Sequence, residues 1–187
     1  YPVSYMERNE GILFIALGLG KTIVNGEKSL RFSPKYPKIL SQYYSVKSTI
    51  NNSQNKFYAL DMNKGKNPLK FGEAKNLKKF DLSIAESDGE LSNISSTITN
   101  DNIIRDSLKY PGTRVLTFAN IIKYNRFPLT NLIEDIMLLG EKALGCPVEI
   151  EFAINLNDNQ KDEFCLLQIK PMVIGIKNEE LNIKNYQ

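Results

Sequence analysis

The sequence contains no histidine. Within this chain, that absence excludes an imidazole base, a phosphohistidine and any His-ligated metal. Only two cysteines are present, Cys146 and Cys165. They are too few for a disulfide scaffold and fit a reducing compartment, so a cytoplasmic location is expected. No apolar run approaches the roughly 18–20 residues needed to span a bilayer; the longest, Ile12 to Leu19, is broken by Gly18. The opening residues, Tyr1-Pro2-Val3-Ser4-Tyr5-Met6, lack both a signal peptide's basic-then-apolar order and a starting Met, so the chain reads as a piece of a longer protein. Arginine is scarce, with 5 against 19 lysines. Arg forks interleaved with aromatics are what a nucleic-acid surface favours, and they are missing, so RNA is the outside candidate for a partner.

What is present is ordinary for a folded domain. Hydrophobic residues make up 42% and charged ones 24% of the 187 positions, which excludes wholesale disorder. The net charge of +3 is unevenly spread. Residues 1–80 carry 14 Lys/Arg against 5 Asp/Glu, and residues 81–187 carry 10 against 16. A basic half suits either an anionic partner such as nucleotide phosphate or simply a solvated lysine-rich surface.

The apolar run Gly11–Leu17 predicts a buried strand entering the glycine turn Gly18-Leu19-Gly20, followed by a helical turn at Lys21–Val24 that Gly26 ends. Residues 42–56 are rich in Asn and Ser and predict a loop or hairpin tip before a strand at Phe57–Met62. Asn63–Pro68, Asp88-Gly89 and Pro111-Gly112 are turn clusters, the last leading into a strand at Thr113–Phe118. Residues 91–110 are weakly patterned. The clearest helix follows Pro128, where Leu129, Leu132, Ile133, Ile136, Met137, Leu139 and Ala143 recur at helical spacing as a core stripe. Thr130 or Asn131 is expected to cap it and Gly145 to stop it. Two strands follow, Pro147–Asn155 and Glu163–Pro171, joined by a polar turn. Without a regular βαβ rhythm the fold class is α+β, one domain over residues 1–175 with a polar tail at 176–187.

The two last strands carry the chemistry. Alternation places Glu149 and Glu151 on one face of the first strand and Ile150, Phe152 and Ile154 on the other. An antiparallel hairpin centred between Asn159 and Gln160 sets Glu149 opposite Lys170, Glu151 opposite Gln168, Ile150 opposite Ile169 and Phe152 opposite Leu167. Two adjacent carboxylates repel unless a positive charge sits between them. Mg²⁺ suits that role, since it takes one or two carboxylates together with phosphate oxygens and water. Gln168 adds a neutral oxygen, and Lys170 a charge for phosphate. The alternative is an exposed Glu–Lys cross-strand pair with no ligand, and a one-residue slip would scatter the group. Gly18-Leu-Gly-Lys-Thr22 is not a Walker loop, because Ile15 stands where its first glycine belongs. Nor is it a dinucleotide fingerprint, since Ile23 replaces the third glycine. A closely packed turn, or one whose amides approach an anion, remains.

Gly18-Leu-Gly-Lys-Thr-Ile-Val-Asn-Gly26 is similar to the Gly-Leu-Gly-Glu-x-Val-Val-x-Gly segment of phosphoenolpyruvate synthases. Val148-Glu-Ile-Glu-Phe-Ala153 and Leu166-Leu-Gln-Ile-Lys-Pro171 resemble that family's Asp-Ile-Glu-Trp/Phe-Ala and Leu-Gln-Ala-Arg-Pro strands. The resemblance, to the pyruvate phosphate dikinase/phosphoenolpyruvate synthase group, runs from about residue 11 to 172 and covers 40–110 poorly. It implies the C-terminal part of an ATP-grasp nucleotide-binding domain, an ATP-grasp-like lobe with an antiparallel sheet and a few packed helices. ATP is then a substrate and Mg²⁺ a cofactor. Glu151 and Gln168 would hold the metal, Glu149 would face the ribose or stand behind the metal ligands, and Lys170, Gly18 and Gly20 would serve the phosphates. Lys21, Glu149 and Lys170 depart from the family's Glu, Asp and Arg. The resemblance further implies partners in the same polypeptide: the other ATP-grasp lobe, a phosphohistidine domain and a pyruvate-binding barrel, with no membrane. The parent would be a kinase-type phosphotransferase acting on pyruvate, this piece alone being inactive. The competing reading is a regulatory nucleotide-binding module derived from the same family.

Overall fold

Short apolar runs punctuated by glycine and proline can form only short strands. The computed structural model describes residues 6–7, 10–60, 76–157 and 161–172. Among them it contains nine strands, every pairing antiparallel. Short helices intervene, so the class is α+β, as expected from the sequence. The chain divides into two compact units, Tyr1–Glu134 and Asp135–Gln187.

In the first unit β1 (Leu13–Ile15) pairs with β2 (Leu30–Phe32), and α1 (Lys21–Val24) lies between them in sequence. β3 (Lys56–Leu60) pairs with β4 (Leu77–Asp81), which runs into α3 (Leu82–Ser87). β5 (Ser95–Ile98) is flanked by β6 (Ile104–Arg105) and β7 (Thr113–Leu116), and α4 (Ala119–Ile122) follows. Leu30, Phe32, Leu91, Leu116 and Leu129 are almost wholly buried and form the core. The Asn63–Pro68 cluster and the tail beyond residue 175 lie outside the described residues.

The expected loop at 42–56 is instead a 3₁₀ turn, Ser41–Tyr43, and helix α2, Val46–Asn52. No apolar stripe announces α2. It forms because the Ser45 hydroxyl accepts from the Ser48 amide at 3.1 Å, a side-chain N-cap. The buried Thr49 hydroxyl returns a bond to the Ser45 carbonyl at 2.9 Å. Next to it Ser53 Oγ accepts from the Leu116 amide at 2.7 Å, tying the helix end to β7.

The weakly patterned stretch 91–110 holds the most buried strand. All four residues of β5 are buried although three carry hydroxyls. Each hydroxyl is bonded: Ser95 to the Leu91 carbonyl at 2.8 Å, Ser96 to Asp106 at 2.7 Å, and Thr97 to the Ser107 carbonyl at 2.8 Å. Asp106 also accepts from Lys123 at 3.0 Å and Tyr124 at 3.2 Å. Burial pushes the Asp106 carboxyl up, but the Ser96 hydroxyl, the Lys123 ammonium and the Tyr124 hydroxyl together hold it below its ordinary range. A carboxyl lowered on folding contributes stability that is present above the unfolded pKa of about 4 and is lost as pH falls through the folded value. Asp106→Asn is expected to lower stability at pH 7 by about 1–2 kcal/mol, with a smaller difference from wild type at pH 3. Denaturant titrations at the two pH values check this.

In the second unit the C-terminal part of α5 (Leu129–Leu144) accompanies the hairpin of β8 (Val148–Asn155) and β9 (Glu163–Pro171). Gly145, at φ +68°, ends the helix as expected. The start differs from expectation: Thr130 and Asn131 lie inside the first turn rather than capping it. Leu129, Ile133 and Gly140 line the buried side, whereas Leu139, expected in the stripe, is 69% exposed. A Cβ on Gly140 would stand 2.5 Å from Ile169 Cδ1 and 3.3 Å from Val148 Cγ2, so the missing side chain lets the helix seat against the hairpin.

Candidate functional site

The hairpin register decides which side chains meet. Val148 pairs with Pro171, Glu149 with Lys170, Ile150 with Ile169 and Glu151 with Gln168, as the alternation predicts. The Pro147 carbonyl accepts from the Met172 amide at 2.7 Å and closes the base. Beyond Glu151 the register shifts by one, so that Phe152 pairs with Leu166 rather than Leu167. The cause is a β-bulge: Leu167 has no partner across and is 64% exposed. Past the bulge Phe152 stacks on Phe164 with ring centroids 5.5 Å apart. The polar turn at the hairpin tip lies partly outside the described residues.

Because the bulge at Leu167 precedes Gln168 along β9, the ladder from Gln168 to the base is unshifted and the polar face stays intact. Glu149, Glu151, Gln168 and Lys170 share that face. The Lys170 ammonium lies 3.3 Å from Glu149 Oε1 and 3.9 Å from Glu151 Oε1, bridging both carboxylates. Their side chains are about half exposed, so the pairing contributes at most about 1 kcal/mol to stability. Cys165, opposite Ala153, continues the same face and is exposed. Two carboxylates and an amide oxygen are hard donors of the kind Mg²⁺ takes, and their solvent exposure leaves room for phosphate and water as remaining ligands. The residues therefore fit a magnesium ion as a partial set. Among the described residues no group of three or more Asp, Glu, Cys or His could hold a metal unaided.

Gly18 and Gly20 belong to the first unit, where each has a different surrounding. At φ +84°, a Cβ on Gly18 would meet the Tyr58 carbonyl oxygen at 2.5 Å and Phe57 Cβ at 3.1 Å. Close docking on β3 thus explains Gly18, and the Leu19 amide bonds that same Tyr58 carbonyl at 2.9 Å. Gly20 is helical, at φ −56°, and a Cβ there would have nothing within 4 Å. Residues unforeseen from sequence hold this segment. The Gln54 side chain, buried, accepts from the Leu17 amide at 2.8 Å and donates to its carbonyl at 3.0 Å. At the far end the Tyr58 hydroxyl donates to Glu27 at 2.6 Å, and Lys79 Nζ lies 2.6 Å from the other Glu27 oxygen. The Lys79 ammonium, then the Tyr58 hydroxyl, hold the Glu27 carboxyl below its ordinary range, and Lys79 is raised in return. Tyr58 therefore grips the glycine segment at both ends, a long-range arrangement with no local sequence signal.

Elsewhere in the first unit, an open cavity of about 450 Å³ is lined by Ser92, Asp106, Ser107, Leu108, Lys109 and Asn120, none of them a residue the sequence singled out. Among the described residues no helix is long and apolar enough to cross a membrane.

No curated protein and no solved structure matches the chain significantly. The family model described as the pyruvate phosphate dikinase AMP/ATP-binding domain matches residues 3–187, nearly the whole chain. The chain that carries this hairpin and this glycine segment belongs to the pyruvate phosphate dikinase AMP/ATP-binding domain family.

Proposed function

We propose that this chain is the Mg²⁺·ATP-holding lobe of a phosphoenolpyruvate synthase-like phosphotransferase, with the polar face of the β8–β9 hairpin as its metal and phosphate site. The observation that carries the reading is the gathering of Glu149, Glu151, Gln168 and Lys170 on one exposed face in a family defined by AMP/ATP binding. Glu151 and Gln168 hold the ion, Glu149 stands beside the ribose or behind the metal ligands, and Lys170 meets a phosphate. Bound Mg²⁺ would neutralise phosphate charge and orient the chain of phosphates. The residues themselves supply positioning: strands hold the carboxylates in fixed register, and the lysine supplies a mobile positive charge. Of Gly18 and Gly20, it is Gly20 that has open space for backbone approach to an anion.

The phosphoryl acceptor, pyruvate through a phosphohistidine, would lie on other domains of the same polypeptide. The chain has no histidine to receive the group. Purified, it is expected to bind ATP more tightly with Mg²⁺ than without, and not to turn it over. Calorimetric titration with and without Mg²⁺, beside a phosphate-release assay, tests both statements. Equal ATP affinity in the two buffers would overturn the site, and steady hydrolysis above a Glu151→Ala control would overturn the division of labour. Lys170 at the position where the resemblance places Arg favours a second reading, a regulatory module that binds nucleotide without phosphoryl transfer. Under it, the intact parent protein would bind Mg²⁺·ATP yet fail to phosphorylate pyruvate.

A further inference from the structure

We propose that Lys170 is an internal counter-ion that competes with the divalent cation, so that metal binds well only once a phosphate has drawn the lysine away. The inference rests on the metal-site reading above and adds a coupling to it. Glu149 and Glu151 alternate onto one face and repel, and the charge that offsets them in this structure is the Lys170 ammonium, 3.3 Å and 3.9 Å from their oxygens. A cation held by Glu151 and Gln168 would need the same carboxylate surroundings. Ammonium and metal therefore exclude each other by charge.

The lysine is also easy to move. Its side chain is 43% exposed and both carboxylates are 52% exposed, so the ion pair is solvent-screened and weak. A flexible four-carbon stem lets the ammonium leave while the backbone ladder between Glu149 and Lys170 stays intact. A triphosphate offers the ammonium a competing set of anionic oxygens. Moving the ammonium there frees Glu151 for the metal and leaves the Glu149 charge beside it uncompensated, so nucleotide and metal reinforce each other, and by linkage the reinforcement is mutual. Bare metal, by contrast, meets a site whose two negative charges are already half offset.

The test uses the full 187-residue chain and Mn²⁺ alone, with free ion counted by electron paramagnetic resonance and no nucleotide present. Lys170→Met keeps the aliphatic stem and removes the charge. It is expected to bind Mn²⁺ about tenfold more tightly than wild type, as removal of one nearby positive charge predicts. The gain should vanish in the Lys170→Met/Glu151→Gln double variant. Thermal melts of the variants should match wild type, because every changed side chain is about half exposed and its ion pair weak. Equal Mn²⁺ affinity in wild type and Lys170→Met, with both weakened by Glu151→Gln, would overturn the competition while sparing the metal site. No Mn²⁺ binding by any variant, and no uptake after ATP is added beyond what ATP alone takes up, would overturn both.

Discussion

Glu151→Gln is expected to weaken Mg²⁺-dependent ATP binding by about 100-fold or more, whereas Glu149→Gln should weaken it by only about tenfold. Both positions are equally exposed strand residues, and both lie within 4 Å of the Lys170 ammonium, so simple loss of surface charge would affect them alike. The proposed roles make them unequal. Removing a carboxylate that touches the ion strips a full negative charge from beside it, while removing one behind the ligands only loosens their orientation. ATP titrations at several Mg²⁺ concentrations separate the two cases. Equal losses would contradict the roles, and no loss from either would contradict the site. Neither substitution should change the melting temperature appreciably, because exposed ion pairs of this kind contribute little.

Gly18→Ala carries the largest expected effect on stability. An L-residue at φ +84° is strained by roughly 1–2 kcal/mol, and the new methyl would stand 2.5 Å from a backbone oxygen that Tyr58 cannot withdraw without disturbing β3. A total loss of about 2–4 kcal/mol follows, or about 5–15 °C in melting temperature for a chain of this size. Gly20→Ala should shift stability by no more than about 0.5 kcal/mol, since its backbone is helical and its surroundings are open. Thermal or chemical denaturation of the two variants side by side checks the contrast. A Gly18→Ala protein as stable as wild type would show that the turn does not dock on Tyr58 as described.

Where one face of a strand is apolar and the other charged, the sequence is a good guide. Alternation sorts Glu149 and Glu151 onto one face, and the hairpin centre with the apolar pairing of Ile150 and Ile169 sets Lys170 and Gln168 opposite them. The bulge at Leu167 does not follow. An extra residue in a ladder has no compositional mark beyond two successive leucines. Helix α2 is hidden for a related reason. Its polar residues carry no stripe, and its stability comes from a serine cap and from hydroxyls buried against the rest of the first unit. On α5 the periodicity holds and the width of the buried stripe does not: Gly140, not Leu139, faces the hairpin. Tyr58, Gln54 and Lys79 become visible only in three dimensions, since each reaches a glycine segment 31 or more residues away.

The central claim, that the β8–β9 polar face receives the metal with its nucleotide, is tested most directly by mapping Mn²⁺ on the isotopically labelled chain. With ATP present and Mn²⁺ added in trace amounts, amide resonances of Glu149–Glu151 and Gln168–Lys170 are expected to broaden before those of Ser92 and Asp106–Lys109, which line the cavity of the first unit. Broadening centred on that cavity, or spread evenly over surface carboxylates while the hairpin signals stay sharp, would contradict the account.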